Sequence, residues 1–188
     1  FGAAGLSRDD PRRHAQSVLD TILGGSMSSR LFQEIREKRG LAYSIGSFSS
    51  GYADIGQIGL FLGTRADNLR EACSIIAAEL ARLGSDLVPA DELARAKEHL
   101  KGRLVLSRES ATMRMNRIGR ATVTDSELLS IEEHLERLAR VRAEDVRTLA
   151  ADYWQSGAFS LAAIGADGSA IRTGAAAFAP DLAEASAG

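Results

Sequence analysis

The spacing of apolar residues changes at Gly40, and this change fixes where a helix ends and a sheet begins. Before the glycine, apolar residues recur at the spacing of one helix face, namely Leu31, Phe32 and Ile35. After it, every second residue is apolar or aromatic, as in a strand, namely Leu41, Tyr43 and Ile45. Glycine commonly ends a helix, because it adopts the left-handed conformation without steric cost. The chain must therefore place a strand directly after a helix at this point.

The remaining periodic segments extend this pattern into a mixed fold. They predict a helix after Asp10-Pro11, a second strand over Ile55–Gly63, a helix over Leu69–Leu83, a long helix from Pro89 to about Arg120, a short helix capped by Ser130 and Glu133, another that carries Val146 and Leu149, and a last strand over Ala158–Ile164. Weak helix propensity over Ser107–Thr112 predicts a break in the long helix. Helices grouped between antiparallel strands predict an α+β fold, an antiparallel sheet with helices packed on one face.

The chain of 188 residues is long enough to bury one core of ordinary size. Its end, Gly165–Gly188, is rich in alanine, glycine and serine and has no sustained periodicity. We therefore expect one domain over residues 1–165 and a mobile Ala/Gly-rich tail over residues 166–188. Because the sequence begins with Phe1 and no signal-like segment precedes the fold, we also expect an internal piece of a longer protein.

Charge and composition argue against several classes of partner. With 23 Lys and Arg residues against 25 Asp and Glu residues, the net charge of -2 gives no reason to expect nucleic acid or an anionic membrane as a partner. No apolar run approaches the roughly 20 residues that span a bilayer. Cys73 is the only cysteine, so no internal disulfide can form, which is compatible with a reducing compartment. We expect a cytoplasmic protein.

The sequence carries no self-contained active site. His14, His99 and His134 each stand alone, so the zinc motifs H-E-x-x-H and H-x-x-E-H are both missing, and we expect surface histidines and no metal bound by this chain. There is also no G-x-S-x-G turn for a nucleophilic serine. Cys73 falls on the apolar face of its helix, which favours a core residue over a reactive thiolate.

Arg36 and Tyr43 are the remaining candidates for chemistry. Arg36 lies near the end of its predicted helix and Tyr43 near the start of the next strand, so the two side chains can converge. A guanidinium and a phenol are two donors suited to a carbonyl oxygen or a developing oxyanion. The residues alone equally allow a surface ion pair of Arg36 with Glu34 or Glu37, and a half-buried Tyr43 on the sheet.

Several separated segments resemble the pitrilysin and insulinase type zinc metallopeptidases, and specifically their mitochondrial processing peptidase-like branch. They are ILGGSMSSRLFQEIREKRGLAYSIGSF, DELARAKEHLKGRLVLSRES, RMNRIGR and VRAEDVRTLAADYW, and they occur in the order of the family. The resemblance covers most of the chain from Leu6 to Ile164 and falls in the C-terminal homologous half. It implies one half of a two-half clam-shell metallopeptidase.

The resemblance also implies which half supplies the catalytic groups and which half binds the extended peptide. Zinc, and the glutamate that activates its water as general base, would belong to the N-terminal half or a partner subunit, so this piece alone would be inactive. Arg36 and Tyr43 match the arginine and tyrosine, seven positions apart, with which the C-terminal half holds the substrate near the scissile bond. Candidate residues lining the substrate are Ser44, Ile45, Gly46 and Phe48. Part of the binding would come from adding a strand to a sheet edge, and a dimer is possible.

Two other interpretations stay open. The first is a non-catalytic member of the same family that keeps the fold as a structural or scaffolding subunit. The second is a generic α+β interaction domain, which several matching segments in the same order make the weaker interpretation. An intact H-x-x-E-H motif upstream or in a partner gene would favour the peptidase.

Overall fold

The computed structural model describes residues 1–155 and 159–184 of the chain. In chain order its elements are β1 (Gly2–Gly5), α1 (Arg13–Leu23), a π-helical segment (Phe32–Glu37), β2 (Ala42–Gly51), β3 (Gly56–Thr64), α2 (Ala66–Ser85), α3 (Ala90–Glu109), α4 (Ala111–Val123), α5 (Ile131–Arg140), α6 (Ala143–Tyr153), α7 (Gly168–Phe178) and α8 (Pro180–Glu184). Within those two ranges, no helix combines the length and the hydropathy that crossing a membrane would require.

The three strands form one antiparallel sheet in the order β1-β3-β2. In β2 and β3, Ile45 lies opposite Leu62 on one face, and Gly46 lies opposite Phe61 on the other. The first, inner face carries buried side chains from all three strands, namely Ala3, Ile45, Ile58 and Leu60. The second, outer face leaves the rings of Phe48 and Phe61 partly exposed.

Helices cover the inner face and close one continuous core. The apolar residues of α1 that share one helix face are all buried, namely Ala15, Val18, Leu19, Ile22 and Leu23. Buried residues of α2 and α6, among them Ile76 and Val146, belong to the same cluster as the inner face of the sheet. The predicted α+β fold with helices on one face is confirmed.

Two local sequence signals act at the predicted positions. The long helix breaks at Ser110, which ends α3 and caps α4 by accepting a hydrogen bond from the Met113 backbone N–H over 3.3 Å. Ser130 and Glu133 form both bonds of a capping box at the start of α5. Each cap is formed by residues at most three positions apart in sequence, so both caps could be predicted without knowledge of the tertiary contacts.

The expectation of a mobile tail is wrong for residues 168–184, because α7 and α8 form there. The Asp167 carboxylate caps α7 by accepting hydrogen bonds from the backbone N–H groups of Ser169 and Ala170. At the other end of α7, Phe178 is buried, with its ring centroid 4.1 Å from that of Phe1. A helix rich in small residues therefore packs against α2 and the ring of Phe1, where the composition predicted irregular chain. Residues 185–188 of the expected tail lie outside the described residues.

The predicted last strand is reduced to a single bridge. Ser160 exchanges backbone hydrogen bonds with Gly2 over 2.8 and 2.9 Å, and residues 161–164 continue without regular structure. Ala158, the predicted first residue of this strand, lies outside the described residues.

Candidate functional site

Gly40 brings the end of the π-helical segment next to the start of β2. Its φ of +60° is left-handed, and nothing lies within 4 Å of the position where a side chain would begin. The Gly40 N–H donates to the Arg36 carbonyl over 3.1 Å, and the Leu41 N–H donates to the Ile35 carbonyl over 2.9 Å. The first of these bonds is the one that defines an αL motif, a common end of a helix at a left-handed glycine. The motif turns the chain so that Tyr43 returns beside Arg36.

A β-bulge then moves Tyr43 to the outer face of the sheet. Ala42 pairs with Thr64 and Ser44 pairs with Gly63, so Tyr43 is the extra residue between them. Strict alternation would place Tyr43 on the buried face with Ile45, whereas the bulge leaves it 82% exposed. The structure therefore corrects the shared face predicted for Tyr43 and Ile45, and it excludes the half-buried tyrosine that the sequence left open.

The guanidinium of Arg36 lies over two aromatic rings. Its central carbon is 4.8 Å from the ring centre of Tyr43 and 4.8 Å from that of Phe32. A guanidinium at this distance is attracted by the electron-rich ring face, and the stack restricts its orientation. Because stacking uses the flat face of the guanidinium, the N–H groups at its edge stay available for a ligand. The predicted convergence of Arg36 and Tyr43 is therefore present in the structure.

Neighbouring charges neutralise one another and leave Arg36 weakly paired. The Glu34 carboxylate accepts hydrogen bonds from Lys38 and Arg39, each over 2.5 Å, and these bonds lower the pKa of Glu34. The Nε atom of Arg36 lies 3.8 Å from the nearer carboxylate oxygen of Glu37, beyond hydrogen-bonding distance. Glu34 is thus committed to other cations, and the surface pair considered for Arg36 is a loose contact with Glu37.

The outer face brings together three of the four candidates for lining a substrate. Ser44 is exposed beside Tyr43, and Phe48 is 41% exposed. Gly46 lies between them under the ring of Phe61, whose nearest carbon would be only 2.7 Å from a Cβ at that position. Ile45 differs, because its side chain is buried in the core and only its backbone can reach a ligand.

The edge of β2 is only partly open to a further strand. Gly24, in the turn after α1, packs against β2 so closely that a Cβ on it would lie 2.3 Å from the Ser47 backbone nitrogen. The Ser47 hydroxyl donates to the carboxylate of Asp20, which ties α1 to the same part of the strand. Strand addition along the whole of β2 is therefore blocked around Gly46, and any added strand must use the ends of β2.

Phe32 is the residue of this site that sequence reasoning missed. The spacing of apolar residues placed it on the inward face of its helix, whereas its ring supports Arg36. One signal was present, since Phe32 and Arg36 are four positions apart and side chains at that spacing are neighbours on a helix. The apolar pattern hid this relationship, because an aromatic ring fits both roles.

The histidines differ from the prediction of solitary surface groups. Nε2 of His14 lies 3.4 Å from Nδ1 of His134, between α1 and α5. Burial and nearby arginines lower the pKa of both, and that of His14 falls to about 4. Only His99 is exposed as predicted. Among residues 1–155 and 159–184, no three His, Cys, Asp or Glu side chains lie close enough together to hold one metal ion.

Comparison with known proteins identifies the family. Residues 1–100 match the family described as the peptidase M16 inactive domain. The chain is 45% identical over 152 residues to an uncharacterized zinc protease of Streptomyces coelicolor, a match that covers 81% of this chain and 33% of that protein. It is 39% identical over 150 residues to an uncharacterized zinc protease of Bacillus subtilis, covering 80% of this chain and 37% of that protein. The chain belongs to the peptidase M16 family and corresponds to its inactive domain.

A solved structure agrees with this assignment. The peptidase M16 inactive domain from Pseudomonas fluorescens superimposes with a TM-score of 0.71 at 26% identity, over 82% of this chain and 37% of that one. The predicted family and its C-terminal homologous half are therefore confirmed. The chain spans about a third of the length of the curated relatives it matches.

Proposed function

We propose that this chain is the C-terminal, substrate-binding half of a zinc-dependent endopeptidase that cleaves extended peptides. The observation that carries the proposal is the Arg36 guanidinium stacked on the exposed ring of Tyr43, with its nearest carboxylate contact at 3.8 Å. A cation held in place without a close counter-ion is suited to an anionic or strongly polar group that arrives from outside.

The positions of Arg36 and of the outer-face residues determine the role proposed for each. Arg36 donates from the edge of its guanidinium to a peptide carbonyl, and the Tyr43 hydroxyl supplies a second donor beside it. Both donors strengthen their bonds as negative charge develops on that oxygen, which would stabilise the transition state. Ser44, Gly46 and Phe48 continue the same face over roughly 13 Å, the length of four residues of strand.

Zinc, in this proposal, belongs to the part of the protein outside this chain. Relatives that match the chain are named zinc proteases, and they are about three times as long as the matched segment. The described residues contain no cluster that could hold the metal, so no step is assigned to zinc on this chain. In the complete protein, zinc and a general base would supply the attacking water, while the residues described here hold the peptide.

The test uses the complete protein with Arg36→Ala and Tyr43→Phe, and Arg95→Ala as a matched control. Arg95 is an exposed arginine on α3 that pairs with Asp91. We expect kcat/KM for peptide hydrolysis to fall about tenfold or more in the two site variants, as for loss of an oxyanion donor, and to stay unchanged in the control. Wild-type turnover in both site variants would remove the pair from the mechanism.

The competing function is a non-catalytic scaffolding subunit of the same family. Reading the coding sequence upstream and in neighbouring genes distinguishes the two: an intact H-x-x-E-H motif supports the peptidase, and a degenerate one supports the scaffold. The cytoplasmic location, the possible dimer and the mitochondrial processing peptidase-like branch stay predictions.

A further inference from the structure

Two phenylalanine rings on the outer face of the sheet each lie over a glycine of the neighbouring strand. Phe61 of β3 is paired with Gly46 of β2, and Phe48 of β2 is paired with Gly59 of β3. A Cβ on Gly46 would lie 2.7 Å from the nearest ring carbon of Phe61, and a Cβ on Gly59 would also overlap the ring of Phe48. Each ring therefore crosses to the opposite strand and occupies the space that a side chain would fill there. We call the rings of Phe48 and Phe61 the aromatic platform.

The aromatic platform covers backbone and still presents apolar surface to solvent. Gly46 and Gly59 are buried, although both belong to the outer face, whereas Phe48 is 41% and Phe61 is 48% exposed. A cross-strand ring over a strand glycine stabilises a sheet. That role uses only the side of each ring that faces the backbone. The exposed side of both rings is therefore available to a ligand.

Uncharged side chains surround the aromatic platform. From Ser44 to Ser50 on β2 and from Gln57 to Gly63 on β3, the outer-face residues are serine, glutamine, glycine and phenylalanine. A charged group placed on the rings would lose hydration without gaining an ionic partner from these residues. An apolar group would instead remove ring surface from water, which is favourable. The chemistry of this surface therefore selects an apolar ligand group.

The aromatic platform continues from the contact between Arg36 and Tyr43 along the same face. Next to Tyr43 lies the pair of Ser44 and Gly63, and Gly63 is exposed, with only Ser44 within 4 Å of the position of a Cβ. The two rings follow at steps of two residues, or about 7 Å each. Side chains on one side of an extended peptide recur at the same interval. A peptide held at Arg36 and Tyr43 would therefore place alternate side chains over the two rings.

We propose that Phe61 and Phe48 determine substrate specificity by binding apolar side chains of the peptide that Arg36 and Tyr43 hold. Phe61 contacts the side chain two residues from the held carbonyl, and Phe48 contacts the side chain four residues from it in the same direction. The side chain between them points away from the rings and is not selected by them. The inference rests on the proposed function, because it concerns the same peptide in the same site.

The experiment measures kcat/KM of the complete protein for internally quenched peptides that differ at one position. Leucine, serine and arginine are compared at two, three and four residues from the cleaved carbonyl, in both directions. In one direction, we expect leucine to be preferred over serine about tenfold at positions two and four, as for an added apolar contact. Phe61→Ala should remove most of the preference at position two only, and Phe48→Ala most of the preference at position four only.

Leu87→Ala is the matched control, because Leu87 is 50% exposed but lies outside the sheet, in the segment after α2. It should leave the leucine preference unchanged at both positions. Phe61→Thr guards against a folding defect, since threonine favours strands and should also remove the preference at position two. Urea unfolding verifies that each variant is folded.

Three results would overturn the proposal. The first is a leucine preference that neither phenylalanine variant changes. The second is an equal loss of kcat/KM for leucine and serine peptides in both variants, since the rings would then serve only the stability of the sheet. The third is a preference for arginine over leucine at positions two and four, since the rings would then bind a cation.

Peptide binding separates the failure of this inference from the failure of the proposed function. Fluorescence anisotropy with labelled leucine and serine peptides, after removal of zinc with EDTA, reports binding without hydrolysis. Zinc-dependent hydrolysis without a leucine preference would remove only the role of the aromatic platform. Leucine-dependent binding that Phe61→Ala abolishes, in a protein that does not hydrolyse peptides with zinc present, would keep that role and remove the proposed peptidase. Neither hydrolysis nor leucine-dependent binding would remove both.

Discussion

The guanidinium carbon of Arg36 lies 4.8 Å from the centre of the Tyr43 ring, so the two side chains meet through the ring face. This contact joins two elements that the sequence separates by a glycine turn. It depends on the left-handed Gly40, which returns the chain, and on the bulge that moves Tyr43 outward. Substitutions that change the turn or the bulge should therefore disturb the contact between Arg36 and Tyr43, although Arg36 itself is not replaced.

Phe32→Leu should weaken the hold on Arg36 while leaving both proposed donors in place. An exposed cation–π contact contributes about 0.5 to 1 kcal/mol, so we expect kcat/KM of the complete enzyme to fall about two- to fivefold. Phe32→Tyr keeps a ring beneath the guanidinium and should restore most of the activity. Steady-state kinetics with both variants checks this. Equal activity in the leucine and tyrosine variants would show that the ring of Phe32 does not position Arg36.

Gly40→Ala should destabilise the protein through backbone strain alone. The φ of +60° disfavours any residue with a Cβ by about 1 to 2 kcal/mol, and no atom lies within 4 Å of the new methyl group. Gly102→Ala in α3 is the matched control, because its methyl group also meets open space and its φ is not left-handed. There, alanine should add about 0.5 to 1 kcal/mol of stability. Urea unfolding measures the free energy of unfolding of both variants. If both substitutions change that free energy in the same direction, backbone strain at Gly40 is not the cause.

The His14 and His134 pair should make the protein sensitive to mild acid. Burial first, then the charge of Arg13, lowers the pKa of His14 to about 4, below the ordinary value near 6.5. As the pH falls below 6.5, the unfolded chain takes up a proton before the folded protein does, so stability is full above pH 6.5 and declines between 6.5 and about 4.

His14→Gln should remove part of this decline. Because His14 is only half-buried, we expect a reduction of roughly 1 to 2 kcal/mol, and no effect of the substitution on the pH dependence above pH 7. Urea unfolding between pH 4 and 8 measures the difference. An identical pH profile in the variant and the parent protein would exclude His14 as its source. Glu127, which also titrates in this cluster, keeps its arginine partners in both proteins.

Cys73 should react slowly with iodoacetamide while the protein is folded. Burial raises the pKa of its thiol to about 11, and its side chain is 1% exposed in the core. Since the thiolate is the reactive form, both access and ionisation oppose alkylation at pH 8. The rate should rise by orders of magnitude in urea above the unfolding transition. Fast labelling of the folded protein would show that α2 opens locally.

Signals carried by sequence neighbours predicted the helices well. The stripe of α1, the break at Ser110 and the capping box at Ser130 all depend on residues within one or two helical turns. The prediction for the tail failed for the opposite reason. The small side chains of α7 show little periodicity by themselves, and the helix is stabilised by packing of Phe178 against Phe1 from the other end of the chain.

The sequence by itself determined the residue types of the candidate site, their separation by Gly40, and the family to which they belong. It could not determine which face of the sheet Tyr43 occupies, because a bulge depends on how β2 pairs with β3. Nor could it bring His14 to His134, 120 positions away. Periodicity is a local property, whereas strand register and packing are set only when distant segments meet, and the proposed site depends on register and packing.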